Sequence, residues 1–132
     1  MKNEIYWLVL TIILTSVVWI PYVLNRIYEH KLIPALKNPN RDSRPKSAWA
    51  NRMMYAHENA VENLVLFAPL VILISYLQLS TSTTITASMI YFFGRLAHTV
   101  IYTLGIPYVR TLSFAIAWGA QFYLAIIILR SL

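Results

Sequence analysis

Arg52-Met-Met-Tyr-Ala-His-Glu-Asn-Ala-Val-Glu62 runs without a turn signal into Asn63 to Leu79, a segment that carries no charge. Charged and amide side chains are thus led into a stretch long enough to enter a bilayer. Such groups are costly at that depth, so they face a bundle interior or a cavity and mark a working site. At 100° per residue, Arg52, Tyr55, Ala56, Asn59, Glu62 and Asn63 share one helix face. His57 and Glu58 point roughly 100° or more away from it.

Three further apolar stretches accompany this one. Ile5 to Leu24 is uncharged, Thr84 to Leu104 is apolar apart from Arg95 and His98, and Thr111 to Leu129 is uncharged. Each suffices for a hydrocarbon core of about 30 Å. The spacing predicts an all-α, integral membrane, antiparallel up-down four-helix bundle, one domain over 1–132. Its helices are expected at about 4–24, 48–79, 84–104 and 109–130. The first helix reads as a retained anchor, because Trp19-Ile-Pro-Tyr22 is a poor signal cleavage site. Pro21 is expected to bend its last turn.

Composition agrees. The 132 residues are 58% hydrophobic and 12% charged, about half the charge of a typical soluble domain. The net charge of +6 is concentrated in the connection 25–47, which argues against a nucleic-acid surface. Basic connections stay cytoplasmic, so 25–47 and the Gly105–Pro107 link are expected on the cytoplasmic side, with both termini opposite. That loop also suits contact with anionic lipid head groups. No cysteine is present, so any thiol must arrive with a substrate. The short loops suggest a bacterial inner membrane.

The polar residues admit two readings. Arg52 offers bidentate donors for a carboxylate, Asn59 a donor and an acceptor, and Glu62 an acceptor for an ammonium. Together they suit a zwitterionic, peptide-like ligand, or equally an internal hydrogen-bond network. His57 lacks the second histidine of a zinc-protease helix, which excludes that metal site. It reads as an interhelical hydrogen-bonding residue. Arg95, His98, Thr99 and Tyr102 form a second stripe. Arg95 lies mid-segment, where an unpaired charge costs at least ~2.5–3.5 kcal/mol, and Glu62 is its expected partner. Arg110 opens the last helix, where a cation is unfavourable and an anion is expected. Phe114, one turn on, would make an apolar wall.

Two of these runs carry a resemblance. Arg52-x-x-x-Ala-His-Glu-Asn-Ala-Val-Glu62, followed by Phe67 and Pro69, resembles the second-helix motif of the membrane-associated proteins in eicosanoid and glutathione metabolism, the MAPEG family. Arg95-Leu-Ala-His-Thr-Val-Ile-Tyr102, then Pro107 and Arg110, is similar to that family's third-helix motif and fourth-helix start. The motifs look closest to its microsomal prostaglandin E synthase and microsomal glutathione transferase branch. The resemblance implies a homotrimer that binds glutathione as co-substrate at subunit interfaces, with a lipophilic substrate entering from the bilayer. It implies a binding set of Arg52, His57, Asn59, Glu62, Arg95 and Tyr102, with Arg110 stabilising the thiolate. A nearby guanidinium does lower a thiol's pKa.

Two positions depart from the pattern. Tyr55 stands where many members have an arginine, which weakens carboxylate recognition. Phe114 stands where some have a tyrosine, which removes a hydroxyl near the sulfur. The family also contains a binding-only member, so a non-catalytic lipid-binding or scaffold protein is the competing expectation. A small multidrug exporter would need an acid in the first helix, and Ile5 to Leu24 has none.

Overall fold

The computed structural model describes residues 3–40 and 43–132. Arg41 and Asp42 of the basic connection lie outside the described residues, as do Met1 and Lys2. The described chain is helical and contains no strand. Its helices are α1 Glu4–Val17, α2 Trp19–His30, α3 Leu32–Ala35, α4 Ala48–Tyr76, α5 Ser82–Leu104 and α6 Pro107–Ser131. Three helical runs among the described residues are long and apolar enough to cross a membrane: Glu4–His30, Ala48–Tyr76 and Pro107–Ser131. With five threonines, two serines, Arg95 and His98, α5 does not reach the same apolarity.

The first helical run departs from expectation. Its interruption lies at Val18, and helix then continues to His30 rather than ending near Leu24. Pro21 explains both facts. It has no N–H for the carbonyl one turn back, which breaks the ladder near Val17, yet a proline in the first turn of α2 is well tolerated. The 27 residues span roughly 40 Å at about 1.5 Å each. Beyond Leu24 the turn from Asn25 to His30 therefore emerges from the apolar layer.

The other ends are set by local chemistry. Gln78 takes a positive φ of 56°, and α4 stops at Tyr76, three residues before Leu79. Thr81 and Thr84 form a reciprocal capping box, so α5 starts at Ser82. Gly105 ends α5 in the left-handed region at φ 80°, with its amide bonded to Ile101 O and Tyr102 O. Pro107 then opens α6 at the position where a missing N–H costs nothing.

Helix α4 begins differently. The Ser47 side chain makes no cap of its own. Instead the Glu29 carboxylate reaches over from α2, accepting from Lys46 N (2.9 Å), Ser47 N (2.9 Å), Ser47 Oγ (2.7 Å) and Asn25 Nδ2 (2.8 Å). A carboxylate at a helix N-terminus satisfies orphan amides and complements the dipole.

Helices α4, α5 and α6 pack on one another and α1 packs on α4 and α5. Phe67, Val71, Ile74, Tyr91, Leu124 and Leu8 build the core, with the Phe67 and Tyr91 rings stacked at 3.7 Å. At Gly94 a Cβ would lie 3.0 Å from the Ala117 Cβ, so α5 and α6 meet there almost backbone to backbone. The outward faces are strongly apolar: Leu24, Val65, Leu66, Leu104, Leu112 and Leu129 are all exposed. That surface suits a bilayer rather than water. Inside, Thr11, Thr15, Ser88 and Thr99 return their hydroxyls to the carbonyl one turn back, as buried hydroxyls must when no water is at hand.

The end-to-end arrangement follows from contacts. Glu4 of α1 is buried and accepts from Ser80 Oγ (3.0 and 2.9 Å) and from Thr84 Oγ1. The chain start therefore meets the α4–α5 link at one end. At the other, the basic connection, the start of α4 and the α5–α6 link lie together, as the next contacts describe.

Candidate functional site

Arg52 occupies the second turn of α4. Its Nε donates to Thr103 O at 3.0 Å, and its guanidinium lies over Gly105, where a Cβ would come within 3.0 Å of Cζ. A cation is thereby laid on the carbonyl end of α5, its favourable pole. The absence of a side chain at Gly105 is what lets it come so close.

Arg110 sits in the first turn of α6, just across the same link. Its Cζ lies 4.5 Å from the Tyr102 ring centroid, a cation–π distance. Among the described residues no carboxylate pairs with it. Two guanidiniums and one tyrosine thus surround the α5–α6 link, both cations near the open end of the bundle, half-buried. This arrangement can hold an anion: Arg110 lacks one, and the start of α6 adds the positive pole of its dipole.

A chain of contacts leads inward from this mouth. The Tyr102 ring meets His98 edge-on at 5.6 Å, and His98 lies 5.9 Å from Phe114. The Arg95 Cζ is 6.0 Å from the Phe114 centroid. Arg95 is only 2% exposed. Its Nη2 donates to Asn59 Oδ1 at 2.8 Å, while its Nε and Nη1 have no partner. His98 Nδ1 and Gln121 Oε1 are likewise buried without a partner. Asn59 in turn accepts at its carbonyl from Asn63 Nδ2 at 2.8 Å.

The expected pair between Arg95 and Glu62 is not formed. Asn59, less than one turn earlier on α4, takes the guanidinium instead, and Glu62 is exposed among Val61, Val65 and Leu66. His57 is also apart from the mouth: its Nδ1 shares a 2.8 Å hydrogen bond with Tyr22 Oη of α2. That matches its reading as an interhelical hydrogen-bonding residue. Tyr55 is engaged as well, since its hydroxyl accepts from Arg44 Nη1 and its ring lies 5.5 Å under that guanidinium. The structure therefore brings together Arg52, Tyr102 and Arg110 at the link, and Asn59 with Arg95 deeper in. His57 and Glu62 stand on other faces.

Two polar features escaped the sequence reading, Glu29 on the α4 start and Glu4 on the α5 start. Each is a lone acid beside an apolar run, which flags it as needing a partner, but no local pattern names that partner.

A family model described as the MAPEG family matches residues 5–130. No curated protein matches the chain.

Proposed function

This chain belongs to the MAPEG family, known broadly as membrane glutathione-dependent enzymes, and from that premise we propose that it is a glutathione-dependent membrane transferase or peroxidase of the prostaglandin E synthase and glutathione transferase branch. Glutathione binds at the α5–α6 link, and its thiolate, stabilised by Arg110, attacks a lipophilic electrophile or a lipid hydroperoxide drawn from the bilayer. The observation that carries this reading is Arg110 itself: a half-buried guanidinium, 4.5 Å from the Tyr102 ring, with no carboxylate partner among the described residues. A guanidinium so placed favours thiolate over thiol.

The remaining roles follow the same geometry. Arg52 and Tyr102 line the mouth and hold the carboxylates and backbone of the tripeptide. Asn59 and Arg95 close its inner end. Glu62 sits on a face of α4 flanked by exposed apolar residues, where a carboxylate facing lipid costs at least ~2.5–3.5 kcal/mol. We read that face as covered by a neighbouring subunit in a homotrimer, whose glutathione Glu62 and His57 approach from the subunit boundary. In this reading α5 is the fourth span, tolerated because its polar groups face inward, and the basic 25–47 connection is cytoplasmic in a bacterial inner membrane.

The test is a thiolate absorbance titration of the purified protein with glutathione near neutral pH. A saturable ultraviolet band, lost in Arg110→Ala while the oligomer persists, is expected. Folded protein that gives no band sinks the catalytic reading. It would favour the non-catalytic lipid-binding protein, for which Phe114 speaks: the turn after Arg110 packs a plain ring between His98 and Arg95 and offers the sulfur no hydroxyl.

A further inference from the structure

Helices α5 and α6 are in close contact at Gly94 and Ala117. Beyond that contact, on the side of Ser82, they leave a cavity of about 530 Å³ between them. Ser82, Thr83 and Tyr123 form its rim. Ala87 and Ala120, both buried, form its floor, and Ile90 and Ile116, 39% and 48% exposed, form its walls. At the rim the Tyr123 hydroxyl donates to Thr83 Oγ1 at 3.0 Å and bridges the two helices.

The cavity opens away from the rest of the bundle. Thr86 and Ile90 lie roughly 100° or more around α5 from Tyr91 and Arg95, which meet Phe67 and Asn59 of α4. The α4 face that carries Glu62, read above as a subunit boundary, is therefore on the other side of the molecule. The chain start is also elsewhere: Glu4 of α1 takes Thr84, roughly 160° around α5 from Thr86.

Polarity along the cavity changes in the same sense as in a lipid leaflet. The rim of hydroxyls stands at the end of the bundle where α5 begins. Inward of it the wall is apolar, since Thr86 returns its hydroxyl to Ser82 O at 2.8 Å. Among the described residues no charged side chain lines the cavity, so a charged head would be desolvated there without a partner. Hydroxyls both donate and accept, which matches an uncharged head that does the same. With α5 as the fourth span, Thr83 to Gly94 covers roughly 17 Å of helix, close to half of a hydrocarbon core of about 30 Å. A single chain of leaflet length fits that depth, and the Gly94–Ala117 contact stops it. We propose that this cavity binds an uncharged, single-chain amphiphile with a hydroxyl-bearing head, of the monoacylglycerol class. Its head meets Ser82, Thr83 and Tyr123, and its chain lies over Ala87 and Ala120. The site rests on α5 as a span and not on glutathione, so it and the thiolate titration fail independently.

Native mass spectrometry of the full-length protein tests this, after incubation in an amine-oxide detergent with monopalmitoylglycerol, palmitate or palmitoyl lysophosphatidylcholine. Wild type is expected to retain the glycerol ester about tenfold better than either charged amphiphile, the order of one unmade hydrogen bond. Tyr123→Phe, at an exposed position, should lower that retention about threefold to tenfold, and Ala120→Leu, which fills the floor, should remove it. Equal retention of the three amphiphiles by wild type overturns the proposal, as does undiminished retention in folded Ala120→Leu. Should Ala120→Leu unfold, Thr86→Phe on the exposed side must remove retention instead. Dissociation of the oligomer by Thr86→Phe would assign the cavity to a neighbouring copy and overturn the amphiphile assignment.

Discussion

Asn59 and Arg95 tie α4 to α5 through a single hydrogen bond, Nη2 to Oδ1 at 2.8 Å, around a guanidinium that is 2% exposed. Among the described residues that amide is the one hydrogen-bond partner of a charge held deep in the bundle, since the two other guanidinium nitrogens have none. Asn59→Ala is expected to destabilise the protein by about 1–3 kcal/mol, the cost of orphaning a buried donor, and Asn59→Asp to be better tolerated because it supplies a counter-charge. Glu62→Gln, on the outward face, should leave the stability of the isolated bundle within about 0.5 kcal/mol. Thermal unfolding in detergent separates these outcomes; equal losses from the Asn59 and Glu62 changes would mean that Glu62 is the true partner.

Gly105 should tolerate no side chain. Its φ of 80° strains any L residue, and a Cβ would meet the Arg52 guanidinium at 3.0 Å. Gly105→Ala is expected to cost roughly 1–3 kcal/mol and to displace Arg52 from Thr103. The check is glutathione affinity alongside stability. Arg52→Lys should lower the affinity while sparing most of the stability, because an ammonium lacks the fork that spans two acceptors.

Gly94 controls how closely α5 and α6 approach. With the Ala117 Cβ 3.0 Å from where its own would be, Gly94→Leu is expected to push the helices apart and cost about 1–3 kcal/mol or more. The Arg110–Tyr102 contact sits between the same two helices, so the thiolate band should weaken in step. A band of full intensity in a destabilised Gly94→Leu protein would show that the mouth is built independently of that contact.

Glu29 gives the basic connection a pH dependence. The amide of Lys46, then the hydroxyl and amide of Ser47 and the amide of Asn25, pull its carboxyl from an ordinary 4.5 down to about 2, against a smaller opposing effect of burial. A depressed carboxyl stabilises the fold above its unfolded pKa and loses that contribution as pH falls through the folded value. The tie between α2 and α4 should therefore hold at pH 5 and above and loosen between about pH 4.5 and 2. Hydrogen exchange at the Lys46 to Asn51 amides reads it directly. Glu29→Gln should show the loosened rates at neutral pH, and rates independent of pH in wild type would refute the assignment.

The sequence alone determined where the long helices lie, because hydropathy and periodicity are local. The apolar runs, the Gly105–Pro107 link and the stripe Arg52 to Asn63 are all written within a turn or two of the residues they describe. Helix ends were less legible. The α2 extension to His30 depends on a proline whose effect falls upstream, and the α4 start depends on Glu29, far away in the chain.

Partner choice was decided only by the tertiary structure. Composition showed that Arg95 needed company and that Glu62 was the acid at hand, but the twist between Asn59 and Glu62 on α4 turns the amide inward and leaves the carboxylate outside. The meeting of Arg52 with Gly105 likewise rests on packing. A helix face can be read from a single segment, whereas which faces meet is settled by close approach between segments distant in sequence, where a missing side chain at Gly94 or Gly105 weighs as much as any charge.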